Sequence, residues 1–227
     1  MRKATQYGTA LFRAASYSHR VVRRFDTLRT KRLLMRRWQD ADRAPFAAMN
    51  ADPEVTRYLR GSLDRAASDQ LVDRIEALFD EQGFGLWALE LPGTAEFIGF
   101  TGLHPMPRGV PGEGSIEVGW RLARSAWHKG YATEAAMAAV DVAFAGAGLP
   151  QLWSMTAVLN EPSQAVMRRL GMTRHGFFEH PRIDPGHPLR QQVVYWMPSP
   201  AFRDHGVYAG DSAQAVTAGL GRAGRRD

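Results

Sequence analysis

The chain has 227 residues, of which 44% are hydrophobic and 23% are charged, and it contains no cysteine. This length and composition predict one globular domain with a sizeable core. The lack of cysteine excludes disulfide bonds, thiolate metal ligands and a cysteine nucleophile, and it is compatible with the reducing cytoplasm, which we take as the expected location. No apolar stretch approaches the length of about eighteen residues that a membrane-spanning helix needs.

The formal net charge of +6 is concentrated near the N-terminus. Residues 1–31 hold eight of the 29 basic residues and one of the 23 acidic residues, so the remainder is close to neutral. We predict that residues 1–29 form a basic, poorly ordered extension and that the Gly- and Ala-rich residues 201–227 form a flexible tail. A transit peptide or a nucleic-acid-binding arm is the alternative for the basic segment. The near-neutral remainder argues against an extended phosphate-binding surface, so we expect no nucleic-acid partner.

Hydrophobic periodicity predicts alternating strands and helices along the chain. Seven strands are predicted, at residues 32–38, 86–91, 97–103, 115–122, 152–158, 172–178 and 191–197. Helices are predicted at residues 40–49, 55–59, 62–79, from 131 onward, and at 161–170. This order predicts a mixed α/β fold in which helices cover both faces of one sheet.

The most informative segment is a strand, a short turn and a helix between residues 115 and 144. One face of the strand is apolar, and the opposite face carries Glu117, Gly119 and Arg121. The first N–H groups of the helix that follows have no partner within the helix and lie at its positive dipole end. Gly130, just before the helix, lets a ligand approach the backbone closely. The segment therefore predicts an anion-binding site.

A second segment has the signals of a short helix with defined ends. Asn160 is a good N-cap residue, Pro162 suits the first turn, and Gly171 suits the position just after the C-terminus. Ser163 falls in the first turn, three residues after the cap.

These two segments together resemble a known family. Residues 127–135, with Gly130 and Ala132 at the small-residue positions, resemble the acyl-CoA-binding motif of the GNAT N-acetyltransferases. Residues 160–172 resemble the Asn-x-x-Ser segment of the branch that contains the ribosomal-protein alanine N-acetyltransferases. Trp127 stands where Gln or Arg is commoner, and His128 replaces a residue that is usually Gly in that branch. The resemblance covers about residues 30–200 and implies a GNAT-like, mostly antiparallel sheet of seven strands with helices on both faces.

The resemblance also implies an activity and its donor. It implies transfer of an acetyl group from acetyl-CoA to a primary amine, either a protein N-terminus or a small molecule, with no metal ion. The residues that it implies for CoA binding are Val118, Gly119, His128, Lys129, Gly130, Tyr131, Ala132, Thr133 and Asn160.

Two residues are the candidates for proton transfer. Ser163 is the candidate donor to the departing thiolate, and the alternative is a local hydrogen bond in the first helical turn. Glu117 is the candidate base, acting directly or through a water molecule. The alternative is that Glu117 is an ordinary strand residue, either solvated or in a salt bridge, with Arg121 on the same strand face. Glu179 is the second candidate base.

Other functions remain open from the sequence. A non-catalytic acyl-CoA-binding module is the alternative to an enzyme, and a homodimer is compatible with the sequence. The acceptor amine is not predicted, because the loops at residues 105–114 and 180–188 carry no recognisable motif. Three histidines near the second loop are too loosely spaced to predict a zinc site.

Overall fold

A computed structural model describes residues 23–201, which fold around one eight-stranded sheet. The strands are β1 Thr27–Arg29, β2 Leu34–Arg36, β3 Leu86–Leu91, β4 Ala95–Pro105, β5 Ile116–Leu122, β6 Gln151–Ala157, β7 Thr173–Glu179 and β8 Gln191–Pro198. The helices are α1 Asp40–Ala51, α2 Pro53–Thr56, α3 Arg65–Gln82, α4 Tyr131–Asp141 and α5 Glu161–Arg169. The predicted mixed α/β fold is confirmed.

The sheet order is β1-β2-β3-β4-β5-β6-β8-β7, and every neighbouring pair is antiparallel except β5 and β6. We predicted seven strands, and the sheet has eight. The additional strand, β1, lies within the segment that we predicted as a disordered extension, and it pairs with β2 through Thr27 and Arg36. A strand of three residues is too short to produce a detectable alternation in the sequence. Most of the predicted extension and the predicted tail, residues 1–22 and 202–227, lie outside the described residues.

The core lies between the sheet and the helices packed on it. Phe46 of α1, Phe79 of α3 and Trp87 of β3 are fully buried. Helix α4 contacts β4 and β5, and its buried residues are Tyr131 and three alanines, which allow a close approach to the sheet. Within residues 23–201, no helix is both long and apolar enough to cross a membrane.

Two consecutive crossovers place the ends of four elements together. β5 leads through a short turn into α4, the chain returns as β6 parallel to β5, and β6 leads directly into α5. The carboxyl ends of the two parallel strands therefore lie next to the N-termini of α4 and α5. In open sheets, such an edge is the usual location of a ligand site.

Candidate functional site

The two parallel strands at the centre of the sheet separate almost at once. Their paired register consists of Glu117 with Trp153, whereas the antiparallel pair of β4 and β5 runs over seven residue pairs. Beyond this point, backbone groups of β5 that face β6 are available to a ligand. Val118 and Gly119 occupy this position on β5, and an extended chain of a ligand could therefore add to the strand edge.

The turn after β5 holds the N-terminus of α4 in place. A 3-10 turn at Arg124–Ala126 precedes Trp127, whose indole Nε1–H donates to the Leu122 carbonyl oxygen at 2.8 Å. His128 follows with a φ of 59°, and Gly130 has a φ of 82°. Both values lie in the left-handed region, which strains any residue except glycine. The turn thus stores strain at His128.

Helix α4 begins without a side-chain cap. Its N-cap residue is Gly130, whereas α2, α3 and α5 are capped by the side chains of Asp52, Asp64 and Asn160. The Glu134 N–H donates to the Gly130 carbonyl at 3.0 Å, so the N–H groups of residues 131–133 precede the first intrahelical bond. They point out of the N-terminus together, at the positive end of the helix dipole. This arrangement suits an anion with several oxygen atoms.

A partly exposed ion pair connects this helix terminus to the N-terminal strands. Arg32 Nε lies 2.7 Å from Glu134 Oε2, and Arg32 Nη1 donates to the Lys129 carbonyl at 2.9 Å. Thr30 Oγ1 also donates to Glu134, at 2.6 Å. Burial alone would raise the pKa of Glu134, but the hydrogen bonds from Thr30 and Arg32 outweigh it and hold the pKa below its usual value. Glu134 is therefore a carboxylate at neutral pH.

Arg32 is also the cation nearest to the glycine. A Cβ built on Gly130 would lie 3.4 Å from Arg32 Nη2, and the guanidinium stacks on the Tyr131 ring at 4.5 Å. The side chains of His128 and Lys129 are exposed. The sequence analysis included Lys129 among the CoA-binding residues and missed Arg32, because the contact joins segments about a hundred residues apart and leaves no local pattern.

Glu117 lies at the point where the strands separate. It is buried, and its Oε1 lies 2.5 Å from Nε2 of His104 on β4. Its second oxygen, Oε2, is buried and has no hydrogen-bond partner among residues 23–201. The sequence alternative, an ion pair with Arg121, is wrong, because Arg121 Nη1 instead donates to Oδ1 of Asn50 at 2.6 Å. An unpartnered buried carboxylate oxygen is costly unless a ligand or water molecule completes it.

His104 shares a proton with Glu117. Its Nδ1 lies 3.1 Å from the Pro105 carbonyl oxygen, which can only accept, so Nδ1 carries a hydrogen and Nε2 faces the carboxylate. Burial lowers the pKa of His104, but the negative charge of Glu117 and hydrogen bonds to Glu117 and Pro105 outweigh burial, so the pKa is raised overall. The sequence reasoning missed His104. The β4–β5 register pairs it directly with Glu117 across a loop of ten residues.

Asn160 and Ser163 form a small polar cluster at the start of α5. Asn160 Oδ1 accepts from the Ser163 backbone N–H at 3.3 Å, which confirms Asn160 as the N-cap residue. Its Nδ2 donates to Ser163 Oγ at 3.0 Å and to Thr156 Oγ1 at 2.9 Å. Because Ser163 Oγ accepts this hydrogen bond, its own hydroxyl hydrogen is directed elsewhere. The cluster leaves Ser163 oriented as a donor.

Glu179 does not belong to this site. It lies on the edge strand β7, which β6 and β8 separate from β5, at a distance of roughly 14 Å from spacing alone. Its side chain is 67% exposed and pairs with Arg190 at 2.5 Å. The second candidate base is therefore excluded by the sheet order. No group of three His, Cys, Asp or Glu side chains in the described part of the chain is arranged to hold a metal ion.

A strand separation, an uncapped helix terminus and a buried carboxylate with one unpartnered oxygen define a site for a ligand with an anionic end and a reactive end. Comparison with known proteins identifies the class. Residues 32–173 match the family described as acetyltransferase (GNAT) domain, and the chain belongs to this family. The family uses acetyl-CoA as its acetyl donor.

The relatives and solved structures agree with this assignment. The protein YkkB of Bacillus subtilis (strain 168) is 31% identical over 146 residues, which are 63% of this chain and 83% of YkkB. An acetyltransferase structure from Agrobacterium tumefaciens str. C58 is 29% identical, with a TM-score of 0.63 over 79% of this chain and 98% of that one. The ribosomal-protein-S5-alanine acetyltransferase from Vibrio fischeri is 14% identical, with a TM-score of 0.64 over 78% and 98% of the two chains. The predicted resemblance to that branch is confirmed at the level of the fold.

Proposed function

We propose that this protein transfers an acetyl group from acetyl-CoA to a primary amine by direct attack on the thioester. The observation that carries the proposal is the buried Glu117 Oε2, which has no partner in the described residues and lies where β5 and β6 separate. A buried carboxylate oxygen without a partner is costly unless a ligand or water molecule binds it, and a general base must lie within hydrogen-bond reach of the proton that it removes. The two other parts of the site, the α4 terminus and Ser163, lie at the ends of the same two strands.

The diphosphate of acetyl-CoA would bind at the N-terminus of α4. The backbone from His128 to Thr133 supplies the N–H groups, Gly130 removes the side chain that would block them, and Arg32 adds a positive charge beside them. The pantetheine arm would follow the edge of β5 at Val118 and Gly119 and donate a hydrogen bond to Asn160 Oδ1, which has one acceptor position left beside its bond from the Ser163 N–H. This path directs the thioester toward the gap between Glu117 and Ser163.

The chemistry then needs three proton transfers. The acceptor ammonium loses a proton to Glu117, directly or through water, and the neutral amine attacks the thioester carbonyl to form a C–N bond. The C–S bond breaks, and the departing thiolate takes the hydroxyl hydrogen of Ser163. The serine oxygen then recovers a proton from the second N–H of the attacking nitrogen, through water, so that a neutral amide and the free thiol remain. His104 holds the Glu117 carboxylate in place and stabilises its charge, so that Oε2 faces the substrate. General acid and base catalysis each contribute about 10²- to 10⁴-fold in rate.

Mass spectrometry tests the proposal. The purified chain is incubated with acetyl-CoA and a mixed panel of peptides with free N-termini and small amines, and products are sought at the mass of one added acetyl group. We expect acetylated products with the wild-type chain and loss of them with Glu117→Gln. If CoA binds and no amine gains mass, the chain is a non-catalytic acyl-CoA-binding module and the proposal is wrong.

A further inference from the structure

A pocket of about 730 Å³ lies beside the candidate active site. Its walls come from residues 56–61 after α2, from residues 187–189 of the β7–β8 loop, and from Leu159. Leu159 directly precedes Asn160, the residue that caps α5 and contacts Ser163. The pocket therefore opens next to the proposed proton donor, at the carboxyl end of β6.

The pocket and Glu117 lie on the same face of the sheet. The pairing of Glu117 with Trp153 places Ala157, four residues further along β6, on the Glu117 face as well. Ala157 packs with Ile183 and Leu189, and Tyr58 packs against this cluster. A ligand in the pocket would thus extend along the Glu117 face of β5, toward the base.

The charges around this pocket are positive. Arg57, Arg60 and His187 line it together with apolar residues, and its lining includes no Asp or Glu. Neither arginine forms an ion pair within residues 23–201. The positive charges also act on His180. Burial is the largest cause of its lowered pKa, and the charges of Arg182 and Arg60 lower that pKa further.

Arg121 adds a partly buried cation on the same face. It lies four residues after Glu117 on β5, about 13 Å along the strand. Its guanidinium stacks on Phe100 at 5.4 Å and donates to Asn50, but no carboxylate pairs with it in the described chain. Burial lowers its pKa to about 10, and it remains charged at neutral pH. A partly buried guanidinium without a counter-ion favours a carboxylate ligand, which it can bind through two parallel hydrogen bonds.

We propose that the acceptor is an amine that also carries a carboxylate, such as a short peptide, with the carboxylate bound by Arg121 and by the arginines of the pocket, Arg57 and Arg60. This inference rests on the function proposed above and narrows its acceptor class. It disfavours polyamines and aminoglycosides, because their additional ammonium groups would face unpaired guanidinium groups.

A matched pair of acceptors tests the charge directly. The peptide Ala-Ala-Phe is compared with the same peptide ending in a carboxamide, and spermidine and kanamycin serve as polycationic probes. With the wild-type chain, we expect kcat/KM for the acid to exceed that for the amide at least tenfold, with little turnover of the polycations. In Arg121→Gln, the ratio of kcat/KM for the acid to kcat/KM for the amide should fall to about one, while the Kd of CoA stays unchanged.

The controls separate the possible failures. Arg74→Gln removes an exposed arginine of α3, away from the pocket, and should leave the preference intact. If Arg121→Gln does not fold, the double variant Arg57→Gln, Arg60→Gln changes only exposed side chains and should reduce the preference severalfold. Equal kcat/KM for acid and amide, or a better rate with spermidine, would overturn this inference and leave the acetyl transfer standing. Absence of turnover with every amine would overturn the proposed function and this inference with it.

Discussion

Replacing Glu117 by glutamine isolates its role as a base. The two side chains have nearly the same shape, so the contact with His104 can persist while the proton acceptor is lost. General-base catalysis is worth about 10²- to 10⁴-fold in rate, which corresponds to roughly 2.7–5.4 kcal/mol of transition-state stabilisation. We expect kcat to fall within this range while the Kd of acetyl-CoA stays unchanged, because the diphosphate would bind at the other end of the cleft.

The assay can follow the thiol that CoA releases. Ellman's reagent reports this thiol without background, because the chain contains no cysteine. Glu179→Gln is the matched control, since Glu179 is an exposed carboxylate on the far edge strand and should leave kcat within a factor of two. A Glu117→Gln enzyme with wild-type kcat, or an equal loss in Glu179→Gln, would refute the reasoning.

Three further predictions follow from the same geometry. Ser163→Ala should lower kcat about 10²-fold. Its melting temperature should stay unchanged, because Asn160 still caps α5 through the backbone N–H of residue 163. Steady-state kinetics and a thermal melt check this, and an unaffected kcat would contradict it. His128→Gly should stabilise the fold by about 0.5–1 kcal/mol, because the relief of left-handed strain exceeds the entropic cost of ordering a glycine backbone. Urea unfolding measures this difference in the free energy of unfolding, and a destabilised variant would contradict it. His104→Gln should cost more stability at pH 5.5 than at pH 9. The pKa of His104 is raised in the folded state above its ordinary value of 6.5. The interaction of protonated His104 with Glu117 therefore contributes its full stability below pH 6.5. That contribution is lost as the pH rises through the raised pKa of the folded state. A pH-independent difference in the free energy of unfolding would contradict this.

The sequence predicted the elements whose signals are local. The alternation in β5, Gly130 at the start of α4, and the cap and first turn of α5 are each encoded within a few residues, and the structure has them in place. These are also the segments that carry the family motifs. The roles of the residues in them stay predictions until the experiments above are done.

The contacts that complete the site could not be predicted in this way. His104 meets Glu117 only because of the β4–β5 register, and Arg32 meets Glu134 across 102 positions of the sequence. An ion pair between Glu117 and Arg121 was one alternative, because both residues lie on the same strand face. Two residues four positions apart on a strand are about 13 Å apart, however, which is too far for an ion pair. Pairing between strands and helices distant in sequence depends on the whole fold, which periodicity does not encode.

A crystal structure of the chain with CoA bound would locate both ends of the cofactor. We expect diphosphate oxygens within about 3 Å of the N–H groups of residues 131–133, and the sulfur atom between Glu117 and Ser163. A diphosphate bound elsewhere, with the N-terminus of α4 facing only solvent, would contradict this expectation.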